Sequence, residues 1–221
     1  MLKTSDLISS CQNDWDAYTR HRFVCELGNG TLPEGAFRHY LQQDYLFLTH
    51  FARAYALAIY KCDNFADMRY PLTSLQGTLD TEITLHIDFC KKWGLTETDM
   101  MAIPEATGTV AYTRLVLDAG QSGSLVELYA AMAPCAIGYA DIGQWLINKS
   151  DTVFDGNPYR EWIDMYGNDE MQEAGNNCAA QLDAMMRDIP KDSAAANRIK
   201  KIFRDAVRME IAFWEQGYQD A

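Results

Sequence analysis

Apolar residues recur at steps of three and four along most of this chain, a spacing that leaves few folds open other than a bundle of helices. One face holds Phe37, Leu41, Asp44, Leu48, Phe51 and Tyr55. A second holds Leu125, Leu128, Met132, Cys135, Tyr139, Ile142 and Leu146. A third holds Phe203, Ala206, Val207, Glu210, Phe213, Trp214 and Gly217. No segment sustains the period-two alternation, bounded by turn residues, that marks a strand. The 6 prolines fall mostly between the periodic stretches. The pattern predicts an all-α helical bundle, with residues 1–221 as a single domain.

Breaker residues set the expected boundaries. A first helix is expected over about residues 3–27, stopped by Gly28-Asn29-Gly30. Pro33 and Glu34 suit the first turn of the second. A third is expected over about 66–93, with Pro71 delaying or kinking its start and Gly94 ending it. A fourth begins near Gly108 and stops at a break over Gly120–Gly123. The fifth, about 124–148, contains Pro134, which predicts a bend beside Cys135. A short helix passes through Trp162 to Tyr166, a seventh covers about Asn168 to Arg187, and the last covers about 193–217.

Charge and cysteine usage narrow the function classes. Lys and Arg number 19 against 31 Asp and Glu, a net charge of −12. That balance repels phosphate backbones and anionic membrane surfaces, so neither nucleic acid nor a membrane is an expected partner. No run of about 18 apolar residues suggests a membrane span. The cysteines Cys11, Cys25, Cys62, Cys90, Cys135 and Cys178 show no CxxC pairing. The first fifteen residues lack an apolar core of signal-peptide length. A cytoplasmic protein with reduced thiols is the expectation.

Three polar residues of reactive type interrupt the apolar stripes. Asp44 stands among Leu41, Leu48 and Phe51, where an ionised carboxylate is costly unless paired. It suits either a structural bond to a neighbouring Arg or Tyr or the recognition of an amidine-like ligand edge. Glu210 repeats the situation beside Ala206, Val207, Phe213 and Trp214, as a buried ion-pair partner or as a general acid. Cys135 follows Pro134 and precedes Gly138 and Tyr139. It is a small core residue or, given an activating acid–base partner, a nucleophile. Glu82 and His86, one turn apart, read as a hydrogen-bonded pair within the bundle or as half of a metal site, although di-metal bundles use Glu-x-x-His spacing. Aromatic residues are dense, and a subset could line a pocket for a flat heteroaromatic ring.

Four stretches, in this order, resemble one family. They are Phe37-Arg38-His39-Tyr40-Leu41-Gln42-Gln43-Asp44-Tyr45 after Thr31-Leu32-Pro33; Pro134-Cys135-Ala136-Ile137-Gly138-Tyr139; Tyr159-Arg160-Glu161-Trp162-Ile163-Asp164-Met165-Tyr166; and Glu210-Ile211-Ala212-Phe213-Trp214. Their order and spacing, over essentially the whole chain, are similar to the TenA family, the thiaminase II enzymes or aminopyrimidine aminohydrolases. The resemblance implies a heme-oxygenase-like fold without heme, a homotetramer, and no metal or organic cofactor. It implies hydrolysis of 4-amino-5-aminomethyl-2-methylpyrimidine, and of thiamine, in thiamine salvage. By motif position, Cys135 corresponds to the nucleophile that adds to the ring and Glu210 to the general acid and base. Asp44 corresponds to the carboxylate that binds the amino-pyrimidine edge. Tyr112, Tyr139 and Tyr166 match tyrosines around the substrate, with Phe47 and Phe213 as ring-packing candidates. Cys135 puts the chain with the members that carry this cysteine. Two other readings of the same fold stay open: a non-catalytic pyrimidine-binding or regulatory protein, and a di-iron oxygenase using Glu82 and His86.

Overall fold

Helices form wherever the three-and-four spacing runs, and no strand occurs among residues 1–218, the residues that the computed structural model describes. In chain order they are α1 (Thr4–Ser10), α2 (Gln12–Thr19), α3 (Arg22–Asn29), α4 (Glu34–Tyr60) and α5 (Phe65–Gly77). A π-helical segment (Thr78–Glu82) leads into α6 (Ile83–Lys91), followed by α7 (Glu97–Met101), α8 (Thr107–Ser122) and α9 (Leu125–Asn148). The last three are α10 (Arg160–Gly167), α11 (Asp169–Met185) and α12 (Ala194–Gln216). The chain divides into two units. One comprises Met1–Pro33 and Ala130–Trp214, the other Glu34–Tyr129 with residues 215–218.

The first unit is built on aromatic packing. Phe23 stacks on Trp214 with ring centroids 4.8 Å apart, and Trp15 on Phe203 at 5.9 Å. Leu7, Val24, Leu27, Ile142, Leu146 and Ile163 are buried in the same unit. The expected first helix is three. Its breaks fall at Cys11 and at Arg20-His21, because the His21 ring caps a new helix: Nδ1 accepts from the Phe23 N–H at 3.1 Å. A ring acting as an N-cap has no propensity signature that would announce it. The expected stop is present, with Gly30 at φ 78°, the left-handed region that favours glycine at a helix end.

In the second unit, α4 is the central helix, and its buried side chains run from Ala36 to Ala58. The opening of α8 is fastened by two distant amides, Gln43 of α4 and Gln216. Gln43 Oε1 accepts from the Ala106 N–H and the Thr109 hydroxyl, both at 2.8 Å, and its Nε2 donates to the Pro104 carbonyl at 3.0 Å. Gln216 Oε1 accepts from the Thr109 N–H at 3.1 Å. These bonds satisfy amides that a helix N-terminus leaves open.

Several boundaries in this unit differ from expectation. Pro71 does not delay its helix, because Asn64 caps α5 ahead of it by accepting from the Asp67 N–H at 3.0 Å. The expected third helix also loses its α-helical register over Thr78–Glu82. Gly120 does not break α8. It lies inside the helix because Leu57 and Leu128 press on it, and a Cβ there would come within 2.7 Å of Leu57 Cδ2. Helix α7 was not foreseen; Thr96 and Asp99 cap it reciprocally. One helix, α9, is long and apolar enough to cross a membrane, and 67% of its apolar window is buried against protein.

The chain's start is tied down in the first unit by Asp183. Its Oδ1 accepts from the Thr4 N–H at 2.7 Å and the Thr4 hydroxyl at 2.8 Å. Burial alone would push this carboxyl up, but the two Thr4 donors and the Lys3 ammonium hold it below the usual 3.8. A depressed carboxyl stabilises the fold above its ordinary pKa, and the contribution disappears as pH falls through the folded value. Asp183→Ala should therefore cost about 1–3 kcal/mol near neutral pH, the range for hydrogen bonds to a charged group and a partner left unmet. The gap from wild type should narrow once pH drops below 3.8. Denaturant unfolding of both proteins across that range measures it.

Candidate functional site

The residues singled out in the sequence fall into two groups, one in each unit. In the second unit, Asp44 lies on the buried face of α4 and is 5% exposed. Tyr40, one turn earlier, donates its hydroxyl to Asp44 Oδ2 at 3.2 Å. His86, from α6, brings Nε2 to within 2.6 Å of the same oxygen. Phe47, one turn further along α4, packs on Tyr112 of α8 with centroids 4.8 Å apart. Asp44, Phe47 and Tyr112 are thus gathered by the α4–α6–α8 packing, and all three are buried.

His86 does bond Glu82, as one reading of the pair has it, but not through the Glu82 side chain. Its hydrogen bond to Glu82 goes to the backbone carbonyl, from Nδ1 at 2.8 Å. Its second nitrogen goes to Asp44. Both ring nitrogens thus face protein partners. Among the described residues, no group of three or more His, Cys, Asp or Glu side chains is placed to hold a metal ion. Tyr40 as a partner was legible, being four residues before Asp44 on one face. His86 was not, because 42 residues separate the pair. The π-helical turn just before α6, a feature frequent at functional sites, has no sequence signature that would have announced it.

In the first unit, Cys135 lies on α9 directly after Pro134, partly exposed, while the turn before it is buried. Tyr18 shapes this stretch of helix. Its hydroxyl donates to the Pro134 carbonyl at 3.4 Å, and its ring lies against Gly138, where any Cβ would collide with it. Tyr139 is 4.9 Å from Tyr166 and 5.5 Å from Trp214 by ring centroids. Tyr166 in turn packs on Trp162 at 4.3 Å. Gly143 lets the end of α10 approach α9, since a side chain there would strike the Tyr166 carbonyl. Glu210 and Phe213 lie one turn apart on α12, each 2% exposed. Cys135, Tyr139, Tyr166, Glu210 and Phe213 therefore all belong to this unit, on α9, α10 and α12. None of the six cysteines forms a disulfide among the described residues.

A surface cavity of about 640 Å³ in the second unit is lined by Gly35, Arg38, Gln42, Ile103 and Glu105, among others. It contains none of the residues singled out above.

The Asp44–His86 pair has a measurable electrostatic consequence. Burial by itself disfavours a charged imidazole, but the hydrogen bond to Asp44 and its charge outweigh burial and raise the His86 pKa above 6.5. An NMR pH titration of the ring should show a midpoint above that value. In Asp44→Asn the raising partner is gone while burial stays, so the midpoint should fall. An unchanged midpoint would contradict the pairing.

Comparison with known proteins places the chain. The profile described as "TENA/THI-4/PQQC family" matches residues 8–220. A protein of Haemophilus influenzae named only as uncharacterized is 43% identical over 211 residues, covering 96% of both chains. The aminopyrimidine aminohydrolase of Halalkalibacterium halodurans is 32% identical over 223 residues, covering 100% of this chain and 97% of that one. A crystal structure described as a TenA family transcription regulator, from Silicibacter, superposes with a TM-score of 0.91 at 38% identity, covering 97% of this chain and 96% of that one. A Shewanella denitrificans domain described as having a heme oxygenase-like fold superposes with a TM-score of 0.75 at 12% identity, covering 99% and 93%. At that identity the likeness speaks for the fold alone, which is all-α and heme-oxygenase-like.

Proposed function

The chain belongs to the TENA/THI-4/PQQC family, and on that premise we propose that it is an aminopyrimidine aminohydrolase of the thiaminase II type. Its substrates in this reading are 4-amino-5-aminomethyl-2-methylpyrimidine and thiamine, and its role is thiamine salvage. The observation that carries the reading is the end-to-end likeness to a relative whose name is that activity. The residue types support it: a carboxylate in an apolar setting, a partly exposed cysteine and a second buried carboxyl.

In this mechanism Asp44 accepts from the amino edge of the ring, and Phe47 and Tyr112 flank it. Tyr139, Tyr166 and Phe213 pack around the same ring. Cys135 Sγ, as thiolate, forms a bond to a ring carbon while Glu210 delivers a proton to a ring nitrogen. With aromaticity broken, the exocyclic methylene–nitrogen bond breaks and the amine leaves with its electron pair, as ammonia, taking the proton that the ring nitrogen releases; from thiamine the thiazole leaves with the pair and that proton goes to solvent. Water then adds its oxygen to the methylene carbon and gives up a proton to Glu210. Departure of Sγ restores the aromatic ring and releases the hydroxymethyl product. Neither a metal nor an organic cofactor takes part. The same resemblance implies a homotetramer, and the cysteine usage suits the reducing cytoplasm. Light scattering that returned a mass other than four chains would count against that assembly.

A second reading, a non-catalytic pyrimidine-binding regulator, is favoured by the name of the Silicibacter structure. The net charge of −12 argues against direct DNA contact in such a role. One assay separates the two. Purified protein is given thiamine and, separately, the aminomethylpyrimidine, and hydroxymethyl product and ammonia are followed. Turnover is expected, with Cys135→Ser lowering it by roughly 10³-fold or more, as loss of a catalytic nucleophile does. Tight binding of hydroxymethylpyrimidine with no ammonia release would favour the regulator. Full activity in Cys135→Ser would remove Cys135 as the nucleophile.

A further inference from the structure

The proposed mechanism gives Asp44 a task but gives none to the residue that holds it. Among the described residues, both hydrogen bonds to the Asp44 carboxylate end on one oxygen, Oδ2: His86 Nε2 at 2.6 Å and the Tyr40 hydroxyl at 3.2 Å. His86 is itself fixed. Its Nδ1 faces the Glu82 backbone carbonyl at 2.8 Å, and a carbonyl can only accept, so Nδ1 carries a proton. One further proton lies between Nε2 and Oδ2, and whichever atom holds it, Oδ2 is the oxygen engaged. A carboxylate left alone turns easily about its terminal torsion, which has broad wells. Here a fully buried ring, locked from behind by backbone, takes that freedom away.

We propose that His86 is a positioning residue for ligand recognition, which pins Asp44 through Oδ2 so that Oδ1 is the acceptor turned to the 4-amino group of an aminopyrimidine. The inference rests on the reading of Asp44 as the residue that binds the amino edge. Buried partners that orient a metal's ligands change affinity by about 10–100-fold when lost, and an effect on that scale is expected for a partner that orients a ligand-binding carboxylate. Tyr40 is the weaker of the two partners by distance and lies on the same helix as Asp44, so it cannot report on the packing of α6 as His86 does.

Two substitutions separate the bonds of His86. In His86→Asn the amide nitrogen stands where Nδ1 stood, keeping the reach to Glu82 and losing Asp44. In His86→Gln the amide nitrogen stands where Nε2 stood and still donates to Asp44. The measurement is calorimetric binding of 4-amino-5-hydroxymethyl-2-methylpyrimidine, and of the same molecule without its 4-amino group, to the full chain. Wild type should prefer the amino ligand. His86→Asn should weaken the amino ligand by about 10–100-fold and leave the desamino ligand unchanged. His86→Gln should stay within about threefold of wild type. His86→Asn in an Asp44→Asn background should add nothing, because residues that act through one another are not additive.

Equal weakening of both ligands would reduce His86 to a structural role and overturn the proposal. So would wild-type affinity in a folded His86→Asn protein, or additive effects in the double variant. If His86→Asn does not fold, His86→Gln decides: preference for the amino ligand supports the proposal, and its loss in a folded protein overturns it. Failure of the underlying reading looks different, since wild type itself would then bind neither ligand or show no preference between them.

Discussion

Taking the Asp44 carboxylate out of water is an unfavourable step that the second unit is organised to offset. An uncompensated buried charge costs several kcal/mol, and here two helices contribute to meeting it: α4 through Tyr40 and α6 through His86. The neighbouring residue on α4 does a complementary task. Gln43 points roughly 100° away around the helix and ties Pro104, Ala106 and Thr109, so that α8 begins where Tyr112 can meet Phe47. One turn of α4 thus fixes α6 with one side chain and α8 with the next. This is polar specification inside an apolar unit, and it works because both oxygen and nitrogen of the buried Gln43 amide are engaged, through three hydrogen bonds.

The first unit reaches its order by different means. Its functional candidates lie among aromatic rings brought close by glycines at close-approach points. Gly138 admits the Tyr18 ring against α9, and Gly143 admits the end of α10 with Tyr166. The rings Tyr139, Tyr166, Trp162 and Trp214 then make a run of contacts between 4.3 and 6.1 Å. Such packing is stiff, because rings have few torsions to spend and protein interiors are close-packed. Cys135 is held on this scaffold one residue after a proline whose carbonyl Tyr18 binds.

What could be read beforehand follows from the range of each interaction. The long helices, the stop at Gly30 and the burial of Asp44 and Glu210 were legible, because apolar period and αL glycine are local signals. The three-way split of the first helix was not, since it depends on His21 using its ring as a cap. The continuity of α8 through Gly120 was not, since that glycine answers to Leu57 and Leu128 rather than to helix propensity. For the candidate residues, type and helix face could be read, and the stretches resembling one family supplied their roles. The partner of Asp44 could not, because a contact across 42 residues is set by tertiary register alone.

That register depends on an irregular turn of backbone. The five residues Thr78–Glu82 are wound as a π-helix, which accommodates one residue more than an α-helix would over the same advance. Each residue of an α-helix turns the next by about 100°, so the extra residue acts as a phase shifter for all that follows. Rewound as an α-helix, the segment would swing the face of α6 by about that angle, carrying the imidazole off the Asp44 carboxylate and the Phe89 ring off Phe37 of α4. Insertions and deletions in this turn are therefore not silent length changes. In relatives, the residue count between the aspartate and the histidine is a quantity to conserve as strictly as either side chain.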